Sequence, residues 1–422
     1  MSQQSASSTP SDLSVAVLVL NWNGRSLLET CLPTLLKQTY VNYKIVLVDN
    51  ASTDESVGWV QANYPQVQII QNEENLGFSR GINAGLRQIS ADVVVLLNND
   101  VLVRPEWLVE MVRPFAQDPT VGIVGAKLLF PDGTIQHLGA ELSYPLAHSH
   151  HFHYKEPDRN QIAAVRDVHY VTGASLAVRQ DVLTQIGLLD EAFHPFYYEE
   201  VDFCTRARAA GFRVVVAPQA VATHDESATM AQVSGLKLQT LHQNRLRYVL
   251  KHYTLAQFLD DFVPAEAAYL AETPTPTQLA QLRLAYFATA VPQPLISPEA
   301  PVEQVTAVQN ALLHLRRVAI QAKAEANQPP PNLTEFEFPE SSTLLGTIAA
   351  GLRRTWSSIA AKWLVRSLMQ QQNRQNQHLL RQIEQLHSQA QIQAQETDAL
   401  LAELGKLRQR LDQIESQVKQ QP

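Results

Sequence analysis

Short apolar runs alternate with segments of helical spacing from about residue 14 to residue 253. Apolar runs of this length are typical of strands that are buried on both faces of a sheet. The alternation predicts a parallel α/β sheet with helices on both faces. The predicted strands span residues 15–20, 44–48, 67–70, 93–97, 214–217 and 220–223.

Two of these predicted strands end in polar side chains. The run at 93–97 is followed by Asn98-Asn99-Asp100, and the run at 44–48 is followed by Asp49. Open α/β sheets bind their ligands at the carboxyl ends of strands. An acid there suits a hard divalent cation and the phosphate oxygens that it carries. Since Asn and Asp are also ordinary turn residues, the strand ends alone leave both interpretations open.

The pattern changes beyond residue 253. Residues 254–340 are helical in pattern but are interrupted by prolines. Residues 341–370 predict a basic amphipathic helix, which suits either an anionic membrane surface or packing against the protein itself. Residues 371–422 keep a 4,3 apolar repeat, which predicts a coiled coil and a homo-oligomer. At the other end, residues 1–13 are rich in Ser and Gln and are expected to form a disordered tail.

Composition narrows the classes of function. The chain has 422 residues and a formal net charge of -8, so no nucleic-acid partner is expected. Cys31 and Cys204 are far apart and in no metal-ligand spacing, which favours a reducing cytoplasm without structural disulfides. The sequence shows no signal peptide and no run of ~20 apolar residues. We therefore expect at most a peripheral contact with a membrane.

The loop after the first strand, Asn21-Trp22-Asn23-Gly24-Arg25, has one glycine and no lysine. A dinucleotide-binding fold needs G-x-G-x-x-G there and a P-loop needs G-x-x-x-x-G-K-[ST], so both are disfavoured. A sugar-1-phosphate nucleotidyltransferase would also need more glycine. Residues 75–85 combine three glycines with two Asn and Arg80. That composition suits phosphate binding, although a plain loop and helix start is the alternative.

Acidic side chains begin a predicted helix at residues 199–202. Glu199, Glu200 and Asp202 complement the helix dipole, and Asp202 is spaced to pair with Arg206, so a structural role is one interpretation. Crowded carboxyls that are partly removed from water raise each other's pKa, which favours a general base. His224 follows the last predicted strand, where it is a candidate metal or phosphate ligand.

Four histidines cluster at positions 148, 150, 151 and 153. They lie in a polar segment without a fixed helical spacing. A flexible loop near an acceptor is therefore favoured over a transition-metal site. His137 is a further candidate for the lining of the site.

Together these motifs resemble glycosyltransferase family 2, which has the GT-A fold, and especially its rhamnosyltransferase-like members. The resemblance covers residues 14–253 and implies a mixed α/β sheet flanked by helices. It rests on segments that occur in the family's order: residues 17–24, 48–54, 75–85, 96–100, 171–174 and 199–206, followed by His224.

The resemblance implies roles for the matching residues. Asp49 would recognise the nucleotide base, and Asp100 and His224 would bind Mg2+ or Mn2+. Glu200 would be the catalytic base, with Glu199 and Asp202 as alternatives. The other residues expected to bind the nucleotide sugar are Asn21, Asn23, Asn75, Gly77, Arg80, Asn83, Asn99, Gly173 and Ala174. The chain departs from the family at Asn98 and at Glu200, where Asp is usual.

These parts predict an inverting, metal-dependent glycosyltransferase. One base without an evident covalent nucleophile implies a single displacement at the anomeric carbon. The donor would be a dTDP- or UDP-sugar, and the resemblance favours a cell-surface glycan or lipid-linked acceptor. The alternative is a non-catalytic coiled-coil scaffold that retains a nucleotide-sugar-binding domain.

Overall fold

Strands and helices alternate in the computed structural model, which describes residues 12–225, 237–272, 285 and 302–321. The strands are β1 (Val15–Asn21), β2 (Tyr43–Asp49), β3 (Gln68–Gln71), β4 (Val93–Asn98), β5 (Val101–Val103), β6 (Val121–Leu129), β7 (Ile135–His137), β8 (Ala140–Leu142), β9 (Ser149–His151), β10 (Arg166–Asp167), β11 (Ser175–Arg179) and β12 (Arg213–His224). The helices are α1 (Arg25–Leu35), α2 (Ser56–Asn63), α3 (Gly77–Leu86), α4 (Trp107–Gln117), α5 (Gln180–Ile186), α6 (Glu199–Ala209), α7 (Lys237–His252), α8 (Val263–Glu272) and α9 (Val302–Gln321), with a π-helix at Gln257–Phe262.

The central sheet has ten strands in the described part of the chain. Eight of them follow the order β10-β12-β6-β11-β4-β1-β2-β3, while β5 pairs with β12 and β7 pairs with β6. The first four strands are parallel to one another, whereas β11 runs antiparallel to both β4 and β6. The sheet is therefore mixed, as the family resemblance implies, and the wholly parallel sheet expected from the alternation alone is corrected.

Both faces of the central strands are buried, because helices cover each of them. Leu32 of α1 and Trp107 of α4 pack on one face. Ile82 of α3 and Phe203 of α6 pack on the other. Full burial of one such side chain contributes about 1.5–3 kcal/mol relative to its exposure in water. This two-sided burial explains why the strands read as continuous apolar runs.

The last strand of the sheet positions a predicted site residue. The sequence predicts two strands around Pro218, but the structure has the single strand β12 with a register shift between Ala217 and Val221. Proline has no N–H group to donate to the ladder, so the strand is irregular there and then resumes. Its end pairs with β5, and His224 lies opposite Val101.

The helices beyond residue 253 belong to the same packed unit as the sheet. Phe258, Leu270 and Leu312, from the π-helix, α8 and α9, lie in the apolar cluster that covers one face of the sheet. With a gap at residues 273–280, this unit extends to residue 319. The helices after residue 253 therefore pack with the sheet, while the domain boundary at residue 253 stays a prediction.

Three predicted segments lie wholly or largely outside the described residues. They are the N-terminal tail at 1–13, the amphipathic helix at 341–370 and the coiled coil at 371–422. The oligomer and the membrane contact that depend on them stay predictions. In the part of the chain that is described, no helix is both long and apolar enough to cross a bilayer.

Candidate functional site

The carboxyl ends of β1 and β2 share a hydrogen-bond network. Asn21 and Asp49, the last residues of the two strands, are paired in register. The Asn21 amide donates to Asp49 Oδ1 at 3.0 Å, and Ser52 donates its hydroxyl at 2.6 Å and its backbone N–H at 2.8 Å to the same carboxylate. Asp49 is 1% exposed. Because a carboxylate has about four acceptor sites, one remains for a ligand.

Asn99 extends this network to the end of β4. Its amide nitrogen donates to Asn21 Oδ1 at 2.8 Å. Nearby, Asn23 Oδ1 accepts the backbone N–H of Thr53 at 2.7 Å. A Cβ at Gly24 would come within 2.3 Å of Asn99 Nδ2 and 2.7 Å of Asn21 Oδ1, so the network requires a glycine there. The polar side chains at the ends of β1, β2 and β4 thus form one connected network.

The start of α3 is attached to the same edge. Asn75 Oδ1 accepts the backbone N–H of Gly77 at 2.9 Å and the side-chain amide of Asn50 at 3.3 Å. Asn50 also donates to the carbonyl of Gly77 at 3.0 Å. Gly77 has a φ of +73°, which L side chains rarely adopt. Asn75 and Gly77 therefore shape the backbone beside the polar edge.

Two other predicted residues of α3 make contacts on a different side. Asn83 is 1% exposed and exchanges hydrogen bonds of 2.9 and 3.1 Å with the backbone of Leu189. Its amide also donates to Glu191 at 3.0 Å. Arg80 lies 3.6 Å from the same carboxylate. Asn83 thus connects α3 to the segment before α6, and both of its amide protons are used there.

Asp100 and His224 face each other at the ends of β4 and β12. Because β5 begins directly after Asp100 and pairs with the end of β12, Asp225 donates its backbone N–H to the carbonyl of Asp100 at 3.2 Å. Both side chains are buried, and His224 Nε2 lies 3.1 Å from Asp100 Oδ1. His224 Nδ1 lies 2.6 Å from Oε1 of Gln136 in β7. Strand pairing therefore joins two predicted ligands that are distant in sequence.

This pair of side chains fits a small divalent cation. Mg2+ takes ligands at about 2.0–2.1 Å and is usually held by one or two protein groups together with substrate phosphates. Within the described residues, no cluster of three or more His, Cys, Asp and Glu side chains could hold an ion. Asp100 and His224 would thus supply one oxygen and one nitrogen ligand to such an ion, and its other ligands would come from water or a bound phosphate.

Gly173 and Ala174 connect the end of β4 to the start of α6. The carbonyl of Ala174 accepts the backbone N–H of Asn98 at 3.0 Å. A Cβ at Gly173 would lie 3.1 Å from the Phe78 ring and 3.8 Å from the Cβ of Glu200. Glu200 thus stands beside a buried glycine at the same edge as the candidate metal ligands.

Burial changes the acid–base properties of the first two acids of α6. Glu199 is buried and Glu200 is partly exposed, yet the Oε2 atom of each is buried without a hydrogen-bond partner in the described part of the chain. Burial, and then the charge of Glu200, raises the pKa of Glu199 well above its usual range. Burial raises the pKa of Glu200 to about 7, against the lowering effect of the N–H groups of Glu200 and Val201. A carboxyl that titrates near neutral pH is suited to general base catalysis.

Asp202 has the opposite character, although it lies in the same helical turn. It is fully buried and pairs with Arg206 at 2.8 Å, Lys251 at 2.6 Å and His252 at 2.8 Å. Burial alone would raise its pKa, but the hydrogen bond from His252 and the charges of Arg206 and Lys251 lower it to about 2. A carboxylate this acidic and this enclosed is a poor base. Its contacts join α6 to α7.

The backbone before α6 is strained, and hydrogen bonds from α7 stabilise it. Tyr197 and Tyr198 have φ values of +74° and +70°, a conformation that costs about 1–3 kcal/mol for each residue. Asn244 of α7, fully buried, donates its amide to the carbonyls of Phe196 and Tyr197 at 2.9 and 3.0 Å. The Tyr198 hydroxyl donates to the carbonyl of Ala147 at 2.7 Å. These hydrogen bonds fix the backbone at the start of α6 and therefore the positions of Glu199 and Glu200.

The histidine cluster is more ordered than the loop that the sequence predicts. His150 and His151 lie in β9, paired with β8. His148 packs edge-on against Tyr269 with 4.9 Å between ring centroids. His137 Nδ1 lies 3.3 Å from His151 Nδ1, and burial, followed by His151, lowers the pKa of His137 well below its usual range. The prediction of a flexible loop is thus corrected, because strand pairing and ring packing hold the segment.

A cavity of about 210 Å³ lies beside α6. Its walls include Thr205 and Arg208 of that helix together with Tyr170 and Tyr248. Neither the candidate metal ligands nor the two glutamates of α6 line it. It is therefore separate from the polar edge of the sheet.

Several contacts in the site have no signal in the sequence. Gln136 lies in β7, and the other three residues, Asn244, Lys251 and His252, lie in α7. None of them belongs to the motifs that carry the family resemblance. They reach the site because elements far apart in the sequence pack together. Ser52 could have been recognised, since an Asp followed closely by Ser is typical of a turn that closes through side chain–backbone bonds.

Curated relatives match the N-terminal half of the chain. Over 228 residues, 51% of this chain, it is 32% identical to the O-antigen biosynthesis protein RfbC of Myxococcus xanthus. Over 239 residues it is 24% identical to an N-acetylglucosaminyl-diphospho-decaprenol L-rhamnosyltransferase of Mycobacterium tuberculosis, covering 51% of this chain and 78% of the relative. Two of the matched relatives are much longer proteins, of which the alignments span only 28% and 17%.

A solved structure and a family model complete the comparison. A mannosyltransferase of Pyrobaculum calidifontis, in complex with GDP-Man and Mn2+, aligns with 74% of this chain and 86% of its own length, at 19% identity and a TM-score of 0.45. The family model described as glycosyltransferase like family 2 matches residues 10–249, more than half of the chain. That range contains every strand of the mixed sheet, Asp100, His224 and the acids of α6. The chain therefore belongs to the glycosyltransferase-like family 2.

Proposed function

We propose that this protein is an inverting, metal-dependent glycosyltransferase that moves a sugar from a nucleotide diphosphate to a hydroxyl group of a glycan. The observation that carries the proposal is the placement of the Asp100–His224 pair and of Glu200 at one edge of the sheet. A ligand set for a cation and a base with a raised pKa are the two parts that this reaction needs.

The donor nucleotide is assigned to the network at the ends of β1, β2 and β4. Asp49 keeps one acceptor site, which suits an N–H group of the base. Asn21, Asn23 and Asn99 form the polar surroundings of that carboxylate. The rest of the donor is assigned to the backbone at two places, Asn75–Gly77 and Gly173–Ala174. Gly77 and Gly173 have no Cβ, so a ligand can approach the backbone closely there.

The diphosphate is assigned to Asp100 and His224. A Mg2+ or Mn2+ ion held by these side chains would neutralise the charge that develops on the leaving diphosphate. Arg80 is exposed and its ion pair with Glu191 is long at 3.6 Å, so it can turn toward the phosphates. Asn83 is not assigned to the donor, because its side-chain amide is bonded to Leu189 and Glu191 in the segment before α6.

Glu200 is assigned as the base that removes the proton of the acceptor hydroxyl. It is preferred over Glu199 because it is partly exposed and stands beside Gly173. Asp202 is assigned a structural role, since its buried carboxylate is already bonded to three partners. Attack by a hydroxyl in a single displacement inverts the anomeric carbon, by the same logic as in inverting glycosidases.

The acceptor proposed is a cell-surface or lipid-linked glycan, and the donor is a dTDP- or UDP-sugar. Two relatives support the choice of acceptor, since one is an O-antigen biosynthesis protein and the other is a rhamnosyltransferase for a decaprenol-linked sugar. Assembly through the coiled coil at 371–422 and a peripheral membrane contact at 341–370 are part of the proposal and rest on sequence pattern.

The test is nucleotide release from a panel of UDP-, dTDP- and GDP-sugars with and without Mn2+. Loss of a general base lowers turnover by about 10²–10⁴-fold, so we expect that effect for Glu200→Gln. Asp100→Ala should remove the response to Mn2+. Glu141→Gln, an exposed acid on β8, is the matched control and should be fully active. Release that is unchanged in both site variants would overturn the mechanism and favour a donor-binding scaffold.

A further inference from the structure

Gln136 is placed by an irregularity in the sheet. Two adjacent residues of β6 pair with Ile135 and His137 of β7, so Gln136 between them is the extra residue of a β-bulge. A bulge redirects side chains away from the regular alternation of a strand, and bulges are common beside active sites. Gln136 is 4% exposed. The bulge therefore turns a buried amide toward His224.

The amide of Gln136 contacts His224 twice, and the two contacts together fix its orientation. Oε1 lies 2.6 Å from the ring Nδ1, and Nε2 lies 3.4 Å from the backbone carbonyl oxygen of His224. Because a carbonyl oxygen only accepts, the part of the amide that faces it must be the NH2 group. Oε1 then faces the ring, and since it too only accepts, Nδ1 must be the donor.

The position of this proton decides what the other ring nitrogen can do. A neutral imidazole with its proton on Nδ1 has a lone pair on Nε2. That nitrogen lies 3.1 Å from Asp100 Oδ1. A histidine binds a metal through its unprotonated nitrogen, and the hydrogen bond made by the other nitrogen selects which one that is.

We propose that Gln136 is a positioning residue for the cation site, holding the His224 proton on Nδ1 so that the Nε2 lone pair is presented beside Asp100. The inference rests on the proposed metal dependence and adds a residue that acts through His224 without touching the cation. Groups in this supporting position are worth about 10–100-fold in metal affinity. We expect a loss of that size when the acceptor is removed.

The experiment measures the affinity of the full chain for Mn2+ alone, by titration calorimetry or electron paramagnetic resonance. Gln136→Leu keeps the approximate size but has no acceptor, and Gln136→Asn is a polar variant too short to reach the ring. Gln136→Glu keeps an acceptor for Nδ1. Gln219→Leu is the matched control, because Gln219 is an exposed residue of β12 whose amide reaches Ala163.

We expect Gln136→Leu and Gln136→Asn to weaken Mn2+ binding by about 10–100-fold. Gln136→Glu should restore most of the affinity, and Gln219→Leu should match the wild type. A second readout is the ¹⁵N shift of the His224 ring in histidine-labelled protein, identified with a His224→Ala variant. The wild type should show the proton on Nδ1, and Gln136→Asn should show a shift toward Nε2. A purely structural role would not produce this change of tautomer.

The outcomes separate this inference from the proposed function. If Asp100→Ala weakens Mn2+ binding but Gln136→Leu and Gln136→Asn do not, the role of Gln136 is overturned and the cation site remains. A loss that Gln136→Glu fails to restore also overturns it. If neither Asp100→Ala nor His224→Ala changes the affinity, the proposed cation site itself fails.

Discussion

Glu200 and Asp202 lie within one turn of α6, yet their carboxyls have opposite environments. Burial raises the pKa of Glu200 to about 7, whereas the hydrogen bond from His252 and the charges of Arg206 and Lys251 lower the pKa of Asp202 to about 2. The sequence predicts a cluster of acids here but cannot divide their roles. Two of the partners of Asp202, Lys251 and His252, come from α7. The sequence around residues 199–202 does not predict contacts with a helix that is so distant in the chain.

This difference predicts how stability depends on pH. For Glu200 the folded pKa is above the unfolded value of about 4.3. Its favourable contribution is therefore complete below that value and is lost as the pH rises through about 7. Glu200→Gln should then gain stability relative to the wild type between these pH values, by at most ~1.4 kcal/mol for each pH unit. Urea-induced unfolding measured from pH 5 to pH 8 tests this.

Asp202→Asn provides a control of opposite sign when the same unfolding measurement is extended down to pH 2. Its folded pKa of about 2 is below the unfolded value of about 3.9, so the contribution of Asp202 is present above pH 4 and is lost as the pH falls through about 2. The variant should be less stable than the wild type at neutral pH, with a difference that shrinks in acid. Curves that stay parallel for the wild type and Glu200→Gln between pH 5 and pH 7, or for the wild type and Asp202→Asn below pH 4, would contradict the assigned environments.

At the scale of elements, α7 acts as a support for α6. Asn244 bonds the two carbonyls before α6, while Lys251 and His252 bond Asp202 within it. The strained residues Tyr197 and Tyr198 lie between these contacts. A strained backbone conformation persists only where surrounding contacts stabilise it. Here those contacts come from α7.

Asn244→Ala should therefore affect catalysis more than donor binding. The two carbonyls lose a buried donor, and leaving one such group unsatisfied costs about 1–3 kcal/mol. We expect kcat to fall while the KM for the donor stays near the wild-type value, because the residues assigned to the donor lie at the edge of the sheet and at the start of α3. Gln243→Ala, one position earlier on the same helix, is the matched control. Steady-state kinetics and thermal melting of both variants give the comparison, and an unaltered kcat in Asn244→Ala would contradict the role of α7.

The elements also show which parts of the site were predictable. The ends of β1, β2 and β4 follow from local patterns, since an apolar run that stops at a polar residue marks the edge of a sheet. His224 was singled out for the same reason, and its role as a metal ligand stays a prediction. Gln136 was not singled out, because its orientation depends on a β-bulge in the pairing of β7 with β6. The apolar pattern of a strand does not predict where a bulge interrupts its pairing.

At the scale of the molecule, the fold needs more of the chain than the family motifs cover. The sequence predicts a domain that ends at residue 253, because motif and strand patterns stop there. Apolar residues of the π-helix, α8 and α9 nevertheless complete the cluster over one face of the sheet. A helix that packs on a sheet and a helix outside it have the same amphipathic pattern, so sequence could not separate them.

The Arg245–Glu266 ion pair tests whether α8 is part of this cooperative unit. It joins α7 to α8 through contacts of 2.5 and 2.9 Å, with side chains that are 1% and 0% exposed. Glu266→Gln would leave a buried guanidinium without its countercharge, which costs about 3–5 kcal/mol. Glu272→Gln, at the exposed end of α8, should change stability by less than about 0.5 kcal/mol. Urea-induced unfolding measures both, and equal midpoints for Glu266→Gln and the wild type would place α8 outside the unit that folds with the sheet.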